Sequence, residues 1–336
     1  MKRLFLSLLV LMCLGARGQD PAFAQFFSSP LNINPALTAN INADWRFISN
    51  YRDQWIGPGS PYATGTASFD SKIFQDKIMN VADRSYMGVG GMVMYDYAMS
   101  GIQRSMYASL DVSYNILLAE FPATHRLAAG FGGTYGRRSI DYSRVDFEEQ
   151  WIGLGGFDTD LPTGEASLAQ MKGWLSASAG LTYTLHTDNS NFDIGVAGYH
   201  LNRPKQTFLE DPNQYVPIRQ VAHANFETLI NEQYVFNMAA IYQRQADTRY
   251  FSAGALVGHY IGYGKDMLLN LGVWYWSDNA IVPYVGLMKG RFQFGMSSDI
   301  TINQLNRART KPGTFELSLI IRGERQATGL IHCPWK

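Results

Sequence analysis

Long stretches of this chain alternate apolar and polar residues one by one, and that pattern leaves few folds open. Successive side chains on a strand point to opposite faces, so strict alternation over ten or more residues builds a sheet with one apolar and one polar surface. In residues 171–186, Met171, Leu175, Ala177, Ala179, Leu181, Tyr183 and Leu185 share one face. Lys172, Ser176, Ser178, Gly180, Thr182, Thr184 and His186 share the other, with Trp174 a lone apolar residue among them. Residues 105–116 repeat the pattern, Met106, Ala108, Leu110, Val112, Tyr114 and Ile116 against Ser105, Tyr107, Ser109, Asp111, Ser113 and Asn115. Weaker versions occupy 124–138, 290–301 and 313–322. A slip of one residue would invert both faces, so register is strongly specified.

Fourteen such segments can be counted, at roughly 43–52, 61–71, 85–96, 103–117, 124–138, 171–186, 191–201, 218–230, 233–245, 249–261, 266–276, 280–288, 291–301 and 313–322. Most reach the roughly 9–11 residues of a tilted membrane-spanning strand, and several exceed the ~5–6 residues usual in globular sheets. Beyond the first residues no apolar run approaches the ~18 that a transmembrane helix needs, and mean hydropathy is −0.14. Charged residues are only 17%, aromatics 13%, and there are 32 glycines, which suits an apolar outside and a small-residue inside. The fold class expected is all-β: a transmembrane antiparallel β-barrel of about 14 strands, with an irregular N-terminal leader and a short C-terminal tail.

The organisation expected along the chain has four parts. Residues 1–18 read as a signal peptide, basic at Lys2-Arg3, then apolar, with small residues before a cleavage after Gly18. Met12 before Cys13 is too large for a lipobox, which disfavours a lipoprotein. Residues 19–42, with Pro21, Pro30 and Pro35, form an irregular leader, periplasmic or luminal; residues 43–322 form the outer-membrane barrel; residues 323–336 form a periplasmic tail. If the chain starts in the periplasm, odd-numbered connections face outward. The longest ones, 139–170, 202–217 and 302–312, all follow odd strands, whereas even connections such as 187–190, 262–265 and 289–290 are tight turns of Gly, Asn and Asp, as outer-membrane barrels require. The connection 72–84 is the exception.

Chemistry is scarce. Zero formal net charge gives no reason to expect nucleic acid. Only Cys333 survives processing, so the mature chain has no internal disulfide. The six histidines, at 125, 186, 200, 223, 259 and 332, are dispersed and without metal-ligand spacing, and neither a nucleophile elbow nor a paired-cysteine zinc pattern occurs. Asp158, Asp160 and Glu165 cluster without calcium-loop spacing and read as a solvated acidic loop. No cofactor and no catalytic residue is expected. A barrel hydrolase would need a Ser/His pair on one strand face or on adjacent strands. Trp274, Tyr275, Trp276 and Tyr284 suggest an interfacial aromatic girdle, with a carbohydrate platform as the rival. Asp111, Arg126, Glu227, Arg291 and Asp299 are expected to meet one another across a filled or narrow lumen, since charges facing lipid cost about 2–4 kcal/mol at the midplane.

The two ends of the chain carry the distinctive motifs. Gln19-Asp20-Pro21-Ala22-Phe23-Ala24-Gln25, Asn34-Pro35-Ala36 and Tyr51-Arg52-Asp53-Gln54-Trp55 resemble the opening of the PorP/SprF family of the type IX secretion system, which reads approximately Q-D-P-x-F-x-Q, then N-P-A, then Y-R-x-Q-W. Gly313-Thr314-Phe315-Glu316-Leu317-Ser318-Leu319 looks like the family's last strand, and Cys333-Pro334 like its ending. Leu37-Thr38-Ala39 and Trp335-Lys336 depart from the pattern. The resemblance implies a non-enzymatic outer-membrane component of protein secretion and, in gliding bacteria, of adhesin export and surface attachment. Its implied partners are a secreted surface protein or adhesin, a periplasmic peptidoglycan-binding lipoprotein, the secretion motor and outer-membrane lipid. The positions carried over are Gln25, Asn34, Pro35, Ala36, Tyr51, Arg52, Gln54 and Trp55, as partner contacts or as luminal structure: Asn34-Pro35 setting a turn, Arg52 and Gln54 satisfying buried carbonyls. A porin or small-solute channel is the alternative, and a barrel hydrolase the other.

Overall fold

The computed structural model describes residues 20–57, 61–74, 85–164, 171–207, 214–302 and 313–323, except 232, 263, 265 and 278. The signal segment, Gln19, Glu165, Cys333 with its tail, and most of 72–84 and 302–312 lie outside these residues. The strands are β1 (Trp45–Ile56), β2 (Tyr62–Ile73), β3 (Ser85–Ala98), β4 (Gln103–Ala119), β5 (Thr124–Ile140), β6 (Trp174–His186), β7 (Ser190–Tyr199) and β8 (Arg219–Ile230). They continue with β9 (Tyr234–Gln245), β10 (Thr248–Ile261), β11 (Met267–Trp276), β12 (Ala280–Lys289), β13 (Phe292–Ser298), β14 (Ile300–Thr301) and β15 (Gly313–Gly323).

Neighbouring strands pair antiparallel, and β15 pairs with both β13 and β1, which closes the sheet on itself. The segment expected at 291–301 breaks at Asp299, leaving β13 and β14 to pair in turn with β12, so the two form one stave of fourteen. Closure removes every sheet edge, the condition for carrying backbone through lipid. Alternation then sorts the two faces: on β4, Leu110 is 76% exposed whereas Ser113 is 1% exposed. No described helix is long and apolar enough to cross a membrane.

Two apolar assignments from the sequence need correction. Met171 precedes β6 and is buried with Trp174 and Val216 inside the barrel instead of facing outward. Trp274 and Tyr284 belong to the largest buried cluster, with Trp276 packed against it, and only Tyr275 of that proposed girdle is exposed. The reason is that the lumen there is lined by protein, not water, so inward positions tolerate large aromatic rings.

That protein is the leader. Call the end carrying the connections after β1, β3, β5, β7, β9 and β11 the loop end, and the other the turn end. Asp20 sits at the loop end beside His200, Arg219 and Gln245, and Asn40 at the turn end beside Thr184 and Asp193. Between them the segment runs the length of the lumen in short turns. Pro30 opens α1 (Pro30–Ile33), where its missing N–H costs nothing. Asn34 ends α1 and caps the next 3-10 turn, its Oδ1 accepting from the Ala36 N–H at 2.9 Å, with Pro35 at the first position. Phe27 stacks on Trp274 at 4.7 Å and meets Tyr284 edge-on at 5.5 Å, contacts worth about 0.5–1.5 kcal/mol each beyond area burial.

Glycine on the inner wall permits this approach. A Cβ on Gly130 would collide with the peptide between Pro35 and Ala36. Gly130→Val is therefore expected to cost about 1–3 kcal/mol in denaturant unfolding and to make the leader accessible to protease, whereas Gly133→Val, with nothing within 4 Å of its Cβ, leaves both unchanged.

Candidate functional site

Three charged ties and the side-chain amides of Gln25, Asn34 and Asn40 hold the leader to the wall. The most buried tie lies at the seam where the first and last strands meet, whose register sets Arg52 opposite Glu316. Arg52 donates from Nη1 to Glu316 Oε2 at 2.9 Å and from Nη2 to Asp299 Oδ2 at 2.6 Å, and its guanidinium lies 4.7 Å from the Trp276 ring centre. The Glu316 carboxylate also accepts the backbone N–H groups of Ala24 and Gln25, each at 2.8 Å. The Gln25 side chain donates to Ser297 Oγ at 2.9 Å and to the Glu316 carbonyl at 3.0 Å, and accepts from Ser318 Oγ at 2.7 Å. Arg52 is 1% and Glu316 0% exposed; such a pair depends on further hydrogen bonds to its charged groups, and here the leader backbone supplies two of them to Glu316, while Arg52 Nε and Asp299 Oδ1 stay buried without a partner among the described residues.

Toward the turn end, Asp70 on β2 repeats the arrangement. It takes Arg46 Nη2 at 2.6 Å and Nε at 3.0 Å and accepts the Ala39 N–H at 2.7 Å. At the loop end the carboxylate belongs to the leader: Asp20 Oδ2 lies 2.7 Å from His200 Nε2 and 3.3 Å from Arg219 Nε. Burial pushes the Asp20 carboxyl up, but Arg219 and His200 outweigh it and hold the group well below the usual carboxylate range. Midway, Asn34 Nδ2 lies 3.0 Å from Thr182 Oγ1 and 3.1 Å from His223 Nε2.

The motif positions therefore separate into two sets. Gln25, Asn34, Pro35, Ala36 and Arg52 are buried in the lumen, and Arg52 meets carboxylates where carbonyls were expected. Tyr51 and Trp55 are exposed on the outer face, and Gln54 is half-buried near the end of β1, where Trp55 adopts a φ of 62° and the register with β15 shifts. The luminal charges meet in part: Asp299 pairs with Arg52, and Arg322 on β15 acts on the Glu227 carboxyl of β8. Asp111 accepts from Ser109 Oγ at 3.1 Å, Asn237 on β9 interacts with the Glu227 carboxyl, Arg126 lies over the Tyr86 ring, and Arg291 is exposed at a turn. Asp20, Arg46, Asp70, His200, Arg219 and Glu316 went unrecognised as site residues; for Asp70, Arg219 and Glu316 the available signal was a single charge on the polar face of an alternating strand.

A Ser/His pair on adjacent elements exists: Ser176 Oγ is 2.7 Å from His200 Nδ1, with Asp20 on the other ring nitrogen. Ser176 is buried, and Asp20 is engaged by Arg219 and Gln245, so the geometry is that of an anchor. Outside the lumen, the connection after β5 folds into a lobe. Gln150 is buried and donates to the carbonyls of Thr159 and Leu161, and a bridge joins Trp151 to Phe157, leaving Trp151, Ile152, Leu154 and Phe157 exposed. Asp158 and Asp160 share a local turn, and no group of three potential metal ligands occurs among the described residues.

A closed antiparallel barrel with an apolar outside and an occupied lumen defines a membrane β-barrel plugged by its own leader. The chain belongs to the PorP/SprF family of type IX secretion system membrane proteins, whose family model matches residues 16–321. No curated protein matches it. Among solved structures it is similar to the toluene transporter TbuX of Ralstonia pickettii, at 10% identity and a TM-score of 0.52 over 92% of this chain and 96% of that one. The toluene transporter TodX of P. putida follows at 9% identity and a TM-score of 0.49 over 87% and 93%. The likeness to TbuX is one of fold.

Removing one member of the seam tie strands a buried charge. Arg52→Met is expected to destabilise the barrel by about 3–5 kcal/mol in denaturant unfolding, with Arg52→Lys recovering only part because ammonium cannot bridge two carboxylates in the same plane. Asp20 gives a pH signature. Its stabilisation is fully present above the ordinary carboxylate value near 3.8 and is lost as pH falls from there toward the lower folded value. Protease susceptibility of the leader's first residues should be flat from pH 5 to 8 and rise below about pH 4, and Asp20→Asn should remove most of that dependence.

Proposed function

We propose that this protein is a non-enzymatic, plugged β-barrel of the outer membrane that supports type IX secretion and surface attachment of a partner protein such as an adhesin. The observation that carries the reading is the leader, tied into the lumen at Asp20, Glu316 and Asp70. A lumen occupied by largely buried chain leaves the outer surfaces for work on other proteins. The loop-end lobe supports this, since Trp151, Ile152, Leu154 and Phe157 form an exposed apolar tip of the kind that marks interaction sites. Links to a periplasmic peptidoglycan-binding lipoprotein and to the secretion motor follow from what family membership implies. Orientation with the loop end outside follows from the loop-length rule.

Purification of the intact barrel from membranes should recover a secreted adhesin or a periplasmic linker. Recovery of neither, with secretion unchanged in a deletion strain, would sink the proposal. In planar bilayers the protein should pass little current, and deletion of residues 20–40 should raise conductance; a large open conductance from the intact chain would favour the channel reading. The contact between Ser176 and His200 favours a hydrolase as second reading. Turnover of phospholipid or ester substrates should be absent; turnover that Ser176→Ala abolishes would establish it instead.

A further inference from the structure

We propose that the outer face of β8–β10 at the loop end binds the phosphorylated headgroup of a membrane lipid in the adjoining leaflet. The register places Gln220, Arg244 and Arg249 side by side on three neighbouring strands, all exposed on the outward face. Two residues further into the membrane, the next outward row is Ala222, Tyr242 and Phe251, with both aromatic rings exposed. Two residues of strand rise about 6–7 Å, and exposed Tyr and Phe on a barrel wall mark the interfacial belt, so the two guanidiniums lie at headgroup depth.

Above this row the connection after β7 contributes a third cation. The Arg203 guanidinium carbon lies over the Tyr215 ring, 3.8 Å from its centre. The ribbon is held by a bridge between Lys205 and Tyr215 and by Val216, buried against Trp174 and Met171. Arg203, Tyr215, Ile218 and Arg244 line a cleft of about 340 Å³. A guanidinium stacked on a ring keeps its edge N–H groups free, and guanidinium edges match phosphate oxygens in paired hydrogen bonds. Neither the Arg244 nor the Arg249 side chain has an ion pair or hydrogen bond to a described residue, although Asp247 in the adjoining turn is exposed. Unpaired arginines beside lipid are stable where an anion meets them, and the apolar wall formed by Ile218 and the aromatic row below suits the acyl chains of the same molecule. With the loop end outside, as proposed above, the leaflet is the outer one and lipid A the natural probe.

Full-length mature barrel in detergent, incubated with equal amounts of bisphosphorylated and dephosphorylated lipid A, should retain the phosphorylated form in native mass spectrometry. Arg203→Gln combined with Arg244→Gln should reduce retention by about 25-fold, at about fivefold per cation, while Lys289→Gln at the turn end should not. Equal retention of both lipids, unchanged retention by the double variant, or binding of inorganic phosphate without lipid would overturn the proposal. Heat-modifiable mobility on gels checks that each variant is folded. Labelling of Leu154→Cys in a Cys333→Ser background by an impermeant maleimide on intact cells reads orientation separately: a failure there, with phosphate discrimination kept, overturns the orientation and leaves the site standing.

Discussion

The rest of the structure depends on where the Glu316 carboxylate goes. It sits on the last strand, opposite Arg52 on the first, and it accepts two backbone N–H groups from the leader. Three segments far apart in the chain therefore share one buried charge. Moving a carboxylate from water into protein costs several kcal/mol, and a lone arginine partner often fails to repay it. The leader adds two hydrogen bonds to that carboxylate, so the pairing that closes the barrel and the packing that fills it stabilise each other.

The barrel was legible in the sequence because lipid outside and a non-lipid interior impose alternation on every strand, and a single residue of slip would put Leu110 where Ser113 belongs. Alternation separates inside from outside, and it is silent about what lies inside. Trp274 and Tyr284 look like interfacial anchors when the lumen is imagined as water; they become core residues once Phe27 stands against them. Asn34-Pro35-Ala36 was readable as a turn, because an Asn cap followed by Pro is a local signal. The association of Gln25 with Glu316 was not readable, since the two lie nearly the whole chain apart and no local pattern links them.

Membership in a type IX secretion family and a plugged interior bear on each other. The motifs that identify the family concentrate in the leader and the first hairpin, and most of those residues are spent on the lumen wall: Gln25, Asn34 and Arg52 have their hydrogen-bonding groups turned toward the barrel's own strands. Outside the lumen the lobe after β5 is built differently: its Gln150 scaffold fixes the fold of the loop while its apolar tip stays exposed.

The course of the leader, from Asp20 at the loop end to Asn40 at the turn end, has a consequence for the order of assembly. A thread bearing Phe23, Phe26 and Phe27 lies within a ring whose inner wall it already touches on most sides. Feeding it through a finished ring would require those side chains to pass the large inward residues that now hold them, Trp274, Tyr284, Met92 and Met94 among them. Drawing the ring shut around it requires only that β15 reach β1, the pairing most distant in sequence, and Glu316 is the residue that meets both the thread and the closing strand. The barrel is in this sense a clasp, and its own N-terminal segment is what it clasps.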